Sequence, residues 1–370
     1  MSGTFEQARD FFTQGLAHYQ AGRYAEAERS FAASAALLPG RVSTLTNLGA
    51  VRLKLGRPQE AADLLEEALA QEPDNVEALG HRATALAELG AHSQALACVE
   101  RVLALDAGLG QAWSLRGQLL KALGRAGEAA SAFEEAIARG ADAELNRYYR
   151  AALTGRETPA TAPRHYVQSL FDSYAEGFDE HLVQVLHYQA PQVLAQGLRA
   201  MGRRFSRALD LGCGTGLCGP LVRPMAQALH GVDLSATMVQ RSTALGAYDR
   251  VVQSELAAYL QQTGERYELA IAADVFIYVG ALEDVFEGVA RVMEPGGVFC
   301  FSVERAPEGH DLALQGSLRY AHSRGYIEKL AAHWGFDVCS VAEHAVREDQ
   351  RVPIPGLYFW LTRGDKPARR

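Results

Sequence analysis

ALDLGCGTGLCGP, residues Ala208 to Pro220, runs from an apolar segment of strand character into four glycines and two cysteines, after which a helical pattern resumes. Glycines at such a junction let the backbone adopt left-handed conformations and approach a ligand closely. On both sides of it, apolar runs alternate with amphipathic ones. The pattern predicts strands at 207–211, 229–233, 251–253, 268–274, 298–303, 337–345 and 358–362, with helices at 220–228, 236–245, 256–262, 282–293 and 324–334. Such alternation predicts a largely parallel seven-stranded sheet covered on both faces. Between the last two strands stands only the turn-like REDQRVPIPG, too short for a crossover, so these two should form an antiparallel hairpin.

Three ligands compete for the loop: a dinucleotide, a nucleotide-type methyl donor, or a metal held by Cys213 and Cys218. Asp233 lies 21 residues after Gly212, at the end of the second strand, where a carboxylate accepts hydrogen bonds from ribose hydroxyls. That spacing serves the first two ligands equally. A dinucleotide fingerprint would place its third glycine at position 217, yet Leu217 stands there and the third glycine is Gly216. Asp210, just before the loop, is a poor neighbour for a phosphate and a good one for an ammonium group. The metal reading lacks partners, because Cys213 and Cys218 have no second cysteine pair and no Cys/His cluster nearby.

LDLGCGTG, GVDLS, AADVFIY and EPGGVF occur in the order and spacing of the successive motifs of class I S-adenosylmethionine-dependent methyltransferases, which residues 165–370 resemble. That likeness implies a Rossmann-like sheet ending in an antiparallel hairpin, with S-adenosylmethionine as cofactor. It places Asp210, Gly212, Gly214 and Gly216 at the methionine end, Asp233 on the ribose and Leu234 on one face of the adenine. Glu255 would sit near the adenine amine and Asp274 beside the methyl donor. Residues 165–205 would form a helical lid, with Tyr174 of FDSYAEGFDEHL folding over the cofactor. The combination with the preceding repeats is similar to a group of bacterial repeat-containing methyltransferases.

Those repeats have a period of 34. Gly15, Gly49, Ala83 and Gly117 are in register, as are Gly22, Gly56, Gly90 and Gly124, then Ala27, Ala61, Ala95 and Ala129, then Phe31, Leu65, Val99 and Phe133. A small residue that admits a neighbouring helix, a glycine that ends the first helix, and an alanine with a large partner describe a helix-turn-helix unit. The pattern resembles the tetratricopeptide repeat, which predicts an all-α solenoid of four repeats and a capping helix over 1–153. TGRETPATAPR, 154–164, reads as a linker. Repeats of this kind offer a groove to a protein or peptide, or support self-association. The carboxylate-clamping subtype is disfavoured, since Phe12 and Leu16 occupy its Lys and Asn positions.

The net charge of -8 is spread evenly, with 15 Lys+Arg against 19 Asp+Glu to residue 153 and 21 against 25 thereafter, which is -4 on each side. Without clustered cations, nucleic acid is not an expected partner. An odd five cysteines, an N-terminus lacking a signal-peptide pattern and the absence of long apolar runs predict a cytoplasmic protein without membrane association. Around the expected pocket mouth stand Asp274, Tyr278, Glu304, Arg319, Tyr320, His322 and Tyr326. His322 is the candidate general base on pKa grounds, Asp274 a candidate proton acceptor, Tyr278 a further catalytic candidate, and Arg319 a candidate partner for a substrate carboxylate. The family's amine methylases of DNA carry Pro-Pro after the Asp274 position, whereas Val275 and Phe276 follow here. The expected activity is methylation of an oxygen or nitrogen, a carboxylate among them, on a small molecule or on a peptide or carrier-bound substrate docked by the repeats. The alternative is an interaction scaffold with a non-catalytic cofactor domain.

Overall fold

Each repeat of the N-terminal region folds as a pair of helices whose packing follows from one small residue, a glycine in three of the four. The pairs are α1 (Ser2–Gln20) with α2 (Tyr24–Leu37), α3 (Val42–Lys54) with α4 (Pro58–Gln71), α5 (Val76–Glu88) with α6 (His92–Leu105), and α7 (Gly110–Ala122) with α8 (Ala126–Ala138). A Cβ on Gly15 would fall 2.6 Å from the ring of Phe31, one on Gly49 2.7 Å from Leu65, and one on Gly117 2.5 Å from Phe133. In the third repeat the small position is Ala83, and its large counterpart shrinks to Val99; both are buried. The pair conserves volume, as a close-packed interior demands. Gly22, Gly56, Gly90 and Gly124 end the first helices with φ of 72, 69, 75 and 74°, a left-handed cap that side chains disfavour. Helix α9 (Ala143–Thr154) closes the stack, with Tyr148 fully buried and Tyr149 stacked on Phe133 at 5.2 Å.

The computed structural model describes residues 2–174, 186–349 and 351–364, and the chain divides into two units, 1–154 and 155–370. The second unit begins with α10 (Arg164–Tyr174) and α11 (Ala190–Ala200). There follow β1 (Phe205–Leu211), α12 (Gly219–Val222), β2 (Ala226–Asp233), α13 (Ala236–Ala244), β3 (Arg250–Gln253), α14 (Leu256–Gln262) and β4 (Tyr267–Ala272). After these come α15 (Glu283–Val292), β5 (Met293–Arg305), β6 (Leu312–Leu314), β7 (Tyr320–His322), α16 (Arg324–Trp334), β8 (Phe336–Asp349) and β9 (Val352–Arg363). Strands β3, β2, β1, β4 and β5 pair in parallel in that order; β9 then lies antiparallel to β5, with β8 antiparallel to β9. This is the class I methyltransferase arrangement. Alternation along β1 sends Leu209 and Leu211 into the core under α14, α15 and α16, and Ala208 into the opposite core under α11.

Among the described residues nine strands are present where seven were expected. The additions are the short hairpin β6–β7, which extends the sheet where Glu304 of β5 pairs with Ala321. The expected helix 220–228 is cut to Gly219–Val222 and a 3-10 turn at Arg223–Met225. Pro224 cannot donate within a helix, and Ala226–Ala228 are taken by β2, which pairs with β1 from Phe205 onward. Most of REDQRVPIPG is strand, because β8 and β9 run on to the pair Asp349 and Val352. Pro353 and Pro355 are tolerated there because β5 reaches only to Gly356 on their other side. The expected linker is partly docked: Thr161 bridges to Val279, the Ala162 amide donates to the Tyr278 carbonyl at 3.1 Å, and the Ala281 amide to Ala160 at 2.7 Å.

Candidate active site

The site forms at the carboxyl ends of the parallel strands, where loops diverge and leave a crevice. Three glycines shape its floor for different reasons. Gly212 (φ 67°) has Val275 2.7 Å from where a Cβ would be, and Gly216 (φ 100°) has Leu245 at 2.9 Å, so both are required by packing. Above Gly214 (φ 53°) nothing lies within 4 Å. Its amide donates to Oδ2 of Asp233 at 2.8 Å, and Oδ1 of Asp233 accepts from the Ser235 amide at 2.9 Å. The Leu234 amide also donates to this carboxyl, and a carboxylate has about four acceptor directions, so acceptor capacity remains. Burial raises the pKa of Asp233, and the backbone donors oppose that shift.

Asp210 is buried, accepts from the Tyr248 hydroxyl at 2.7 Å and has its pKa pushed up to about 7 by loss of solvation. Leu234, half-buried beside Asp233, accepts from the Gln253 amide at 3.2 Å. Glu255 caps α14, its two oxygens accepting from the amides of Ala257 and Ala258 at 3.0 and 2.8 Å. Cys213 packs against the Cα of Gly231 and Cys218 lies in the core. Among the described residues, no group of three or more His, Cys, Asp and Glu could hold a metal.

Across the crevice, Asp274 follows β4 with φ at 57°, a left-handed conformation that aspartate tolerates better than most residues. Its amide donates to Ser302 Oγ at 2.9 Å, and its Oδ2 accepts from Nη1 of Arg347 at 2.5 Å. Arg347, 2% exposed, also donates to Glu304, which is 3% exposed and receives the Gln315 amide at 2.8 Å. Oδ1 of Asp274 is buried without a partner among the described residues. Burial raises the pKa of both carboxyls, while Arg347 and Arg319 lower it. Tyr278, on the 3-10 turn Phe276–Tyr278, receives a hydrogen bond from Arg319 and meets the ring of Phe171 edge-on at 5.4 Å.

His322, expected at the pocket mouth, is fully buried instead. Its Nε2 lies 2.7 Å from the Gly280 carbonyl, its ring stacks on Tyr326, and burial pulls its pKa down to about 4. The cause is β7, an unexpected strand that carries the ring into the sheet. Tyr320 is buried too, its hydroxyl donating to Pro159 at 2.8 Å, and Tyr326 donates to Glu283 at 3.0 Å. Tyr174 ends α10, but its side chain lies outside the described residues. Two positions earlier, Asp172 accepts from the Ser235 hydroxyl. Through Asp172 and Phe171 this helix touches both the turn after β2 and the turn after β4.

Sequence reading missed Arg347, Asp172 and Tyr248. Arg347 stands in a segment whose charges and prolines read as a turn; its signal was an arginine between Val346 and Glu348 in what could equally be a strand. Asp172 belongs to the FDSY run from which only Tyr174 was singled out.

A glycine loop followed by an acid at the end of the second strand, on a sheet with an antiparallel edge, defines a nucleotide-type cofactor domain. The family matches narrow this further. A methyltransferase-domain model matches residues 209–299, and tetratricopeptide-repeat models match 12–75, 52–119 and 110–139. The chain is 30% identical over 104 residues to a malonyl-[acyl-carrier protein] O-methyltransferase of Enterobacter lignolyticus (strain SCF1), covering 28% of this chain and 41% of that one. It is 31% identical over 117 residues to a ubiquinone biosynthesis O-methyltransferase of Chelativorans sp. (strain BNC1), covering 30% and 46%. Magnesium protoporphyrin IX methyltransferase from Synechocystis PCC 6803, solved with bound SAH, aligns at 20% identity and a TM-score of 0.43 over 54% of this chain and 99% of that one. The chain spans less than half the length of these curated relatives. It carries tetratricopeptide repeats followed by a methyltransferase domain.

Proposed function

We propose that the chain is an S-adenosylmethionine-dependent methyltransferase acting on an oxygen or nitrogen of a small molecule, or of a peptide or carrier-bound substrate docked by the repeats. One observation carries the cofactor half of this reading. Asp233 grips the amides of Gly214 and Ser235, beside open space above Gly214, with acceptor capacity left for the ribose. Asp210 fits the ammonium end, because a cation beside a buried carboxyl restores its charged form. Leu234 offers an apolar face to the adenine. Glu255, with both oxygens engaged in a helix cap, supports the position of that wall and has acceptor capacity left for an adenine amine.

When bound, S-adenosylmethionine supplies a methyl carbon on a sulfonium sulfur, which is displaced in line by a lone pair of the acceptor. The chain's task is alignment, with a proton acceptor needed where the nucleophile carries a hydrogen. Asp274 and Tyr278 face this step. His322 is neutral at physiological pH, but its Nε2 is spent on Gly280 and its burial suits a support of the wall rather than a base.

Calorimetry tests the cofactor. The intact protein should bind S-adenosylmethionine at micromolar concentrations, and Asp233→Ala should weaken binding by about a hundredfold or more, the scale of losing two hydrogen bonds to a charged group. Unchanged binding in that variant would sink the assignment. For the acceptor, cell extract is incubated with enzyme and a donor labelled in the methyl group, and the label is separated by size. Label in macromolecules supports docking by the repeats; label in small molecules leaves the repeats an assembly role. A wholly unlabelled extract would favour the scaffold.

A further inference from the structure

Three elements bring charge to the acceptor side of the crevice: Asp274 after β4, Glu304 near the end of β5 and Arg347 near the end of β8. Arg347 owes its place to a β-bulge. The register between β8 and β9 shifts between Ala345 and Glu348, and Val346 and Arg347 are both buried where a regular strand would turn one of them outward. The bulge aims Arg347 inward, and its two terminal nitrogens are taken by Asp274 and Glu304. The guanidinium is thus spent on the chain's own carboxylates and has no fork left for a substrate carboxylate. What the cluster leaves open is an acceptor: Oδ1 of Asp274, buried and without a partner among the described residues. A buried acceptor without a donor is costly, and a ligand N–H or O–H removes that cost.

We infer that Arg347 is a positioning residue, tying Asp274 to Glu304 so that Oδ1 of Asp274 is presented to the methyl acceptor, and that this acceptor is a hydroxyl or amine rather than a carboxylate. The inference rests on the methyl-transfer reading. As the acceptor's lone pair forms its bond to the methyl carbon and the carbon–sulfur bond closes onto sulfur, the proton released by the acceptor passes to Oδ1. A carboxylate acceptor has no hydrogen to give at that atom and would stand against the charge of Asp274. Among the described residues, the charged and titratable groups around Asp274 are Arg347, Arg319, Glu304, Tyr278, Tyr188 and Tyr358.

The decisive measurement is the titration of the Asp274 carboxyl by carbon NMR on the full chain, with the signal assigned through its loss in Asp274→Asn. Arg347→Gln should move the titration midpoint up by about one unit or more, because it removes the opposite charge. Arg347→Lys should bring it back toward that of the unsubstituted protein. Glu304→Gln should move it down, because it removes a like charge and leaves Arg347 to Asp274 alone. These opposed shifts are not what loosened packing produces, and Glu304→Gln keeps the test open if Arg347→Gln fails to fold. No movement, or movement of both in one direction, overturns the positioning role. Labelled product from the extract is then treated with mild alkali. A methyl group that survives supports the acceptor class, with mass spectrometry separating methyl ethers from methylamines, whereas release as from a methyl ester overturns it. Failure of the unsubstituted protein to bind S-adenosylmethionine would count against the methyl-transfer reading alone, since the carboxyl titration does not depend on it.

Discussion

Asp210 shows how one buried carboxyl gains a pH dependence from its surroundings. Loss of solvation raises its pKa from 3.8 to about 7, so it holds a proton more tightly folded than unfolded. In the ligand-free protein its contribution to stability is therefore fully present at low pH and is lost as pH rises from about 4 through 7. Binding of an ammonium reverses the preference. Between about pH 5 and 7, where the cofactor's amino group stays charged, S-adenosylmethionine affinity should rise with pH, by up to about tenfold per unit. Asp210→Asn should flatten that dependence in calorimetric titrations across the range; a slope that survives the substitution would assign it to another group. The positions of Asp210 and Asp233 beside the glycine loop were legible because loop spacing specifies where a strand-end carboxylate points. Arg347 was not, because a bulge decided its direction and one-dimensional alternation does not show bulges.

At the scale of elements, the repeats make a sharper case for sequence than the sheet does. A 34-residue register names the helix-turn-helix unit directly because each copy buries its face on the next. Gly117→Ala should cost about 1–3 kcal/mol, since its Cβ would sit 2.5 Å from Phe133. Gly127→Ala, on the exposed side of α8 with nothing within 4 Å, should gain about 0.4–1 kcal/mol through the unfolded chain. Urea unfolding of both variants checks the opposed signs; two losses would mean that helix propensity and packing have been assigned wrongly. The short strands β6 and β7 had no such signature. At three residues each, they present too little alternation to read, yet they bury His322 and Tyr320, two residues expected at the mouth.

For the whole molecule, the separation of the cores by unit matters. Phe31, Leu48 and Val51 anchor one cluster in the first unit, whereas the cores on the two faces of the sheet are built wholly from residues of the second. A fragment of residues 155–370 should therefore fold alone and bind S-adenosylmethionine as tightly as the full chain, measured by calorimetry. Weaker binding by the fragment would give the repeats a part in forming the cofactor site. Its first residues should be retained, because 159–162 hydrogen-bond along 278–281, beside the turn that carries Tyr278. Among the described residues no helix is long and apolar enough to cross a membrane.

Periodicity and spacing determined by themselves the repeat solenoid, the doubly covered sheet with its antiparallel edge, and the cofactor loop. Each is a local pattern: a period of 34, a strand-helix alternation, three glycines and an acid at set intervals. Tertiary structure decided the side of the crevice that carries Asp274. There the deciding contacts join residues far apart in the chain, Asp274 to Arg347 and Gly280 to His322. Whether a charge faces water or a buried partner depends on strand register, bulges and burial, which exist only once the sheet has closed.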